Sequence, residues 1–152
     1  MTSPASGEIV AIHLNLVSRE PMKAVSTARV IESGIEGDRH NATEGPRKNR
    51  QVLVMDRETL DSLDLKPSDI RENVTTFGLD LSTLEAGHRI SLGDDVVLEI
   101  TGPCDPCARM DELRSGLRAE LDGRRGKVAF VVEGGEIKVG DPIGALESAS
   151  AD

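Results

Sequence analysis

The chain has 152 residues, with 27 acidic against 18 basic side chains and a formal net charge of −9. It has no Trp, no Tyr and two Phe, so its core is aliphatic, which argues against base-stacking nucleic-acid modules, as the acidic balance argues against general attraction to phosphate backbones. At 38% apolar content it can bury one core, and no apolar run approaches the ~18 residues of a membrane-spanning helix.

Met1 to Gly7 and Glu147 to Asp152 are small and polar, and they read as disordered tails around a single domain over residues 8–146. The first residues carry neither a basic region nor an apolar segment, so no signal peptide is expected, and a cytoplasmic, reducing setting is the default. Short β-prone runs separated by glycine-rich turns then dominate. Strands are expected over Ile9–Val17, Ala24–Ile31, Gln51–Met55 and Asn73–Phe77, then over His88–Leu92, Val96–Thr101, Lys127–Glu133 and Glu136–Val139. Asp56 is a plausible N-cap for a helix that turns Leu60 and Leu63 inward. A second helix is expected after Asp105 as N-cap, with Pro106 at its first position and Met110, Leu113, Leu117 and Leu121 on one face. Gly123 would close it. Gly87 to Asp94 resembles Gly135 to Asp141, and both read as hairpin ends built with the same Gly-Asp turn. Many short strands with two or three short helices predict a mainly β barrel, because the alternation is too irregular for repeated βαβ units.

Three segments can carry chemistry. In Gly34-Ile35-Glu36-Gly37-Asp38-Arg39-His40 the glycines permit close backbone approach to a ligand. Arg39, Arg47, Lys48 and Arg50, with His40, then face one acid, Glu44, within residues 39–50. Such a local reversal of sign suits an anionic ligand, since Arg presents a fixed fork to phosphate or carboxylate; a solvated polar loop is the bland alternative. In Arg71-Glu72-Asn73, the Asn73 amide can serve either a ligand or the backbone.

The two cysteines sit together in Cys104-Asp105-Pro106-Cys107, where a strand pattern gives way to a helix pattern. A helix start favours thiolate, the form that attacks, carries sulfur or binds soft metals. A thioredoxin-like dithiol would need a βαβ surround that this pattern lacks. Zinc would need two more ligands, and His13, His40 and His88 show no paired spacing. Cys104 can also simply pack as a small hydrophobe. Spacing alone leaves a reactive or metal-ligating thiol.

Taken in order, these pieces resemble the MOSC domain, named after the C-terminal domain of molybdenum-cofactor sulfurases. The matching residues are Gly34 to His40, Arg50 to Val54, Glu72 to Thr75, Leu84 to Gly87 with Gly93-Asp94, Leu98 to Thr101, Pro106-Cys107, Arg125-Gly126, and Gly134-Gly135 to Gly140-Asp141. The resemblance implies a closed, mixed-strand β barrel similar to the barrel domain of pyruvate kinase. It puts the family cysteine on Cys107, which in molybdenum-dependent relatives ligates the metal of a molybdenum–pterin cofactor. It assigns cofactor binding to Asp38, Arg39, His40, Arg47, Lys48, Arg50 and Asn73, with the basic residues on the pterin phosphate. Cys104 is an extra thiol that could resolve a persulfide on Cys107 as a disulfide, or merely pack.

Three activities follow as expectations. The first is a molybdenum–pterin-binding domain serving two-electron reduction or oxygen-atom transfer, fed by a separate electron-donor protein, since no flavin, haem or iron–sulfur signature is present. The second is a sulfur carrier that takes persulfide on Cys107 from a pyridoxal-phosphate-dependent cysteine desulfurase; pyridoxal phosphate would belong to that partner. The third is a dithiol oxidoreductase using Cys104 and Cys107. Neither nucleic acid nor membrane is an expected partner, and a homodimer rests on base rates alone.

Overall fold

Val96, Leu98 and Ile100 are buried while Val97 and Glu99 are half-buried, the period-two alternation of a strand with one face on a core. A computed structural model describes residues 6–17, 20–104, 109–124 and 126–146 and shows how that face is closed. Seven strands form a ring: β1 (Ser6–Leu14), β6 (Val74–Phe77), β5 (Val52–Asp56), β9 (Lys127–Glu133), β8 (Val96–Pro103), β7 (Arg89–Leu92) and β11 (Pro142–Ala145), which returns to β1. β5 and β6 run parallel and the other pairs in the ring antiparallel, so the barrel is mixed as expected. β2 (Lys23–Val25) extends the sheet beyond β1. A separate small sheet joins β3 (Thr27–Ile31), β4 (Gly34–Ile35) and β10 (Gly135–Lys138).

Ile9, Ile12, Val54, Val74, Leu98 and Ile143 belong to the main apolar cluster. A smaller cluster lies on the other side of β5. There Met55, next to inward-facing Val54, packs with Leu60 of α1 (Arg57–Ser62), with Leu65 and Ile70 of the following loop, and with Met110, Leu117 and Leu121. Asp56 caps α1 as expected, accepting the Thr59 N–H at 3.0 Å. Among the described residues no helix is long and apolar enough to cross a membrane.

Several expected boundaries shift. β1 starts at Ser6, because its first residues pair with β11, and it ends at Leu14 rather than Val17. The strand expected over Ala24–Ile31 divides at Ser26, one part joining β1 and the other β10. The single helix expected up to Gly123 is instead α2 (Arg109–Leu113) and α3 (Leu117–Glu120) among the described residues. Gly116 breaks it by turning left-handed at φ 85°, and Leu113, expected inward, is 48% exposed. Asp105 and Pro106 lie outside the described residues. The two Gly-Asp segments are not equivalent: Gly93-Asp94 closes the β7–β8 hairpin, whereas Gly140-Asp141 leads from the small sheet into the barrel-closing β11.

Candidate functional site

β1 and β8 end at one rim of the barrel, and β5, β6 and β9 begin there. That convergence brings Asn15, Leu53, Asn73, Cys104 and Val128 around a cavity of about 250 Å3. Arg39, His40, Arg47 and Arg50 reach it from the segment between β4 and β5, Arg71 from the loop before β6, and Met110 from α2. The floor is thus partly apolar and the rim holds four guanidinium groups.

Asp38 organises the loop from below. Its Oδ1 accepts the Asn15 N–H at 2.6 Å and the Asn73 side-chain amide at 3.0 Å. Its Oδ2 accepts the His40 N–H at 2.9 Å and lies 3.3 Å from His40 Nδ1. Burial opposes ionisation of this carboxyl, but the His40 ring and the two backbone donors outweigh it and hold it below the usual range. The Asn73 amide also donates to the His13 carbonyl at 3.2 Å and accepts the Leu53 N–H at 3.1 Å, so one side chain ties β1, β5 and the loop together.

Further out, buried Gln51 donates to the carbonyls of Ala42 (2.7 Å) and Glu32 (3.2 Å) and accepts the Val131 N–H at 2.8 Å. Asn41 donates to the Asp38 carbonyl, and its Oδ1 comes within 2.5 Å of where a Cβ on Gly34 would stand, at a backbone φ of 137° that favours glycine. The short 3-10 turn Pro46–Arg50 is fastened by the Thr101 hydroxyl to the Asn49 carbonyl (2.5 Å) and by Arg47 to the Arg39 carbonyl (3.2 Å).

On the opposite wall the Arg71 guanidinium donates to Asn15 Oδ1 at 2.6 Å and to the carbonyls of Glu20 (2.8 Å) and Val17 (3.3 Å). The residue beside it, Glu72, is fully buried outside the cavity wall. Burial pushes its carboxyl up to about 7, against the pull of the Ser68 N–H and the Thr75 hydroxyl. Arg50 points its guanidinium at the Cys104 sulfur, 3.8 Å away, and this side chain is 4% exposed. Among the described residues no carboxylate forms an ion pair with Arg39, Arg47 or Arg50.

Of the residues singled out in the sequence, Arg39, His40, Arg47, Arg50, Asn73 and Cys104 therefore line one cavity. Asp38 lies beneath it as a support, its carboxyl occupied by Asn15, His40 and Asn73. Lys48 is exposed on the 3-10 turn and is not part of the wall. Cys107 lies outside the described residues. Asn15 and Arg71 escaped the sequence reading, which attended to Asn73 in the Arg71 segment and found no pattern around Asn15. Among the described residues no group of three His, Cys, Asp or Glu side chains could hold a metal.

A family model described as the MOSC domain matches residues 37–144, from the loop that carries Asp38 to the strand that closes the barrel. The chain belongs to the MOSC domain family. The crystal structure of the YuaD protein from Bacillus subtilis superposes on this MOSC domain with a TM-score of 0.78 at 22% identity, covering 91% of this chain and 94% of that one. YiiM from Escherichia coli matches with a TM-score of 0.67 at 19% identity, over 92% of this chain and 70% of its own. YiiM from Geobacillus stearothermophilus matches with a TM-score of 0.73 at 16% identity, over 93% and 75%. At these identities the likeness concerns the fold. No curated protein matches the chain.

Proposed function

We propose that this MOSC domain holds a molybdenum–pterin cofactor at the basic cavity, with its phosphate on the arginines and its metal on Cys107. The observation that carries the reading is a local reversal of charge: a protein of net charge −9 gathers four guanidinium groups around one cavity. Three of them, Arg39, Arg47 and Arg50, have no carboxylate partner among the described residues. Guanidinium forks suit a phosphate, and the apolar surface of Leu53, Val128 and Met110 suits the carbon framework next to it. The volume of about 250 Å3 suits the phosphate-bearing end rather than the whole group.

In this reading Arg39, Arg47 and Arg50 bind the anion, while Arg71 and Asn73 shape the opposite wall. Asp38 keeps Asn73 and His40 in place, and Lys48 adds long-range attraction from outside the wall. When bound, molybdenum supplies two-electron redox chemistry or oxygen-atom transfer, and a separate protein supplies the electrons.

The test is metal and pterin analysis of protein expressed with excess molybdate in a host shown to make the cofactor. Near-stoichiometric molybdenum and pterin are expected in the wild type, with molybdenum lost in Cys107→Ala and both reduced in Arg39→Ala. Absence of both from the wild type defeats the reading. The second reading, a sulfur carrier, draws support from the thiol of Cys104 in the cavity wall. It calls for persulfide on Cys107 after incubation with a cysteine desulfurase.

A further inference from the structure

His40 stands between two fields of opposite sign. Behind it lies Asp38, whose side chain is 1% exposed and whose Oδ2 is 3.3 Å from His40 Nδ1. That carboxylate is held in place, because Oδ1 accepts the Asn15 N–H and the Asn73 amide while Oδ2 also accepts the His40 N–H. In front of the ring is the cavity, whose wall His40 shares with Arg39, Arg47, Arg50 and Arg71. The two nitrogens lie on different edges of an imidazole, so contact through Nδ1 turns Nε2 away from Asp38. With its side chain 42% exposed, His40 reaches both the carboxylate and the cavity.

We propose that a dianionic oxyanion is bound in this cavity together with a proton from solvent, which His40 takes up at Nε2 while Asp38 holds its Nδ1–H. The inference rests on reading the cavity as an anion site. An ionised Asp38 can only accept, so in the neutral ring the proton sits on Nδ1 and Nε2 carries the lone pair. Protonation makes Nε2 a donor, and the imidazolium then lies between two anions, Asp38 and the ligand. Before the ligand arrives, the guanidinium groups oppose a further positive charge. A bound dianion offsets them, and in a cavity of about 250 Å3 it lies within the Debye length of about 8 Å at physiological salt. Binding and protonation therefore favour each other. The cations around the ring are Arg39, Arg47 and Arg50 of its own segment and Arg71 of the loop before β6, which keep their charge throughout. Asn15 after β1 and Met110 of α2 are uncharged, and Cys104 after β8 brings a sulfur. Glu72, outside the wall, titrates at about 7.

Calorimetry of sulfate binding to the full chain, from about pH 5.5 to about pH 8.5 and in buffers of different ionisation enthalpy, measures the protons taken up. Sulfate keeps its charge across that range, so any proton taken up belongs to the protein. The wild type is expected to take up more protons per sulfate than His40→Gln. Its dissociation constant should rise with pH at least about fivefold more than that of the variant, the lower end of ordinary coupling between sites. Glu72 and Cys104 are the same in both proteins, so the difference between them carries the result. The ring nitrogen NMR signals of His40 need no variant. They should show the neutral ring protonated at Nδ1, and saturating sulfate should keep the ring charged to higher pH.

Equal proton uptake in wild type and His40→Gln would overturn the proposal, as would a His40 ring that titrates alike with and without sulfate, or a neutral ring protonated at Nε2. Sulfate that binds without proton uptake would leave the anion site standing and remove this part for His40. Sulfate that binds at no pH would remove both.

Discussion

Asp38 and Glu72 are both buried carboxyls beside the cavity, and their surroundings drive them in opposite directions. Asp38 gains donors from Asn15, His40 and Asn73 that favour its charge, whereas Glu72 is ruled by desolvation. Their linkage to stability therefore has opposite signs. The contribution of Asp38 is present above its unfolded value of 3.8 and is lost as pH falls through its lower folded value. That of Glu72 is present below 4.5 and is lost as pH rises through about 7, a displacement worth roughly 3 kcal/mol. Urea denaturation is expected to show Glu72→Gln gaining on the wild type by about that amount between pH 4.5 and about 8. A constant difference between the two proteins across the range would contradict it. At this scale the sequence marked Asp38 and Asn73 as cofactor contacts without revealing that Asn15 donates to Asp38, that Leu53 donates to Asn73, and that Asn73 in turn donates to Asp38 and to the His13 carbonyl, partners far along the chain that make the pair a support of the wall. Nothing local signals that Glu72 would be enclosed by β6 and the turn before it.

Gly126 shows why the elements meet as they do. At φ 85° it lies so close to β5 that a Cβ would overlap the Val54 carbonyl oxygen, and its own carbonyl accepts the Cys104 N–H at 3.1 Å. One glycine thus lets the entry to β9 press against β5 and sets the backbone of Cys104 at the cavity. Gly126→Ala is expected to cost roughly 2–4 kcal/mol, since both backbone strain and overlap oppose it. It should also speed the reaction of Cys104 with a thiol reagent, measured in a Cys107→Ser background; an unchanged rate would separate Gly126 from the placement of the thiol. The expected strands were legible because their apolar alternation is local, as in β8. The helix after the cysteines was misread because Met110, Leu113, Leu117 and Leu121 keep helical spacing across Gly116, while the chain turns there and leaves Leu113 outside.

At the scale of the whole molecule, barrel closure depends on β11, a strand of four residues with Pro142 and Gly144 among them and little strand signal of its own. It forms because β1 and β7 present it with two open edges, pairing Ile143 with Gly7 and with Leu92. Ile143 is 1% exposed in the main core. Ile143→Ala is expected to cost about 2–5 kcal/mol in denaturation and to raise amide exchange along Ser6 to Glu8 more than in β5. Uniform exchange changes would mean that closure is not local to that seam.

By itself the sequence determined the β content, the aliphatic core, the capped first helix and the cluster of basic residues before β5, all of which are properties of neighbouring residues. It also carried the ordered motifs of the MOSC family. Only the tertiary structure decided that β11 closes the ring, that Asp38 supports the wall while Arg71 joins it, and that Glu72 is buried. The reason is physical: partners for those backbone edges and polar atoms come from strands brought together at one rim, and spacing along a single chain does not encode which polar groups will lose their water.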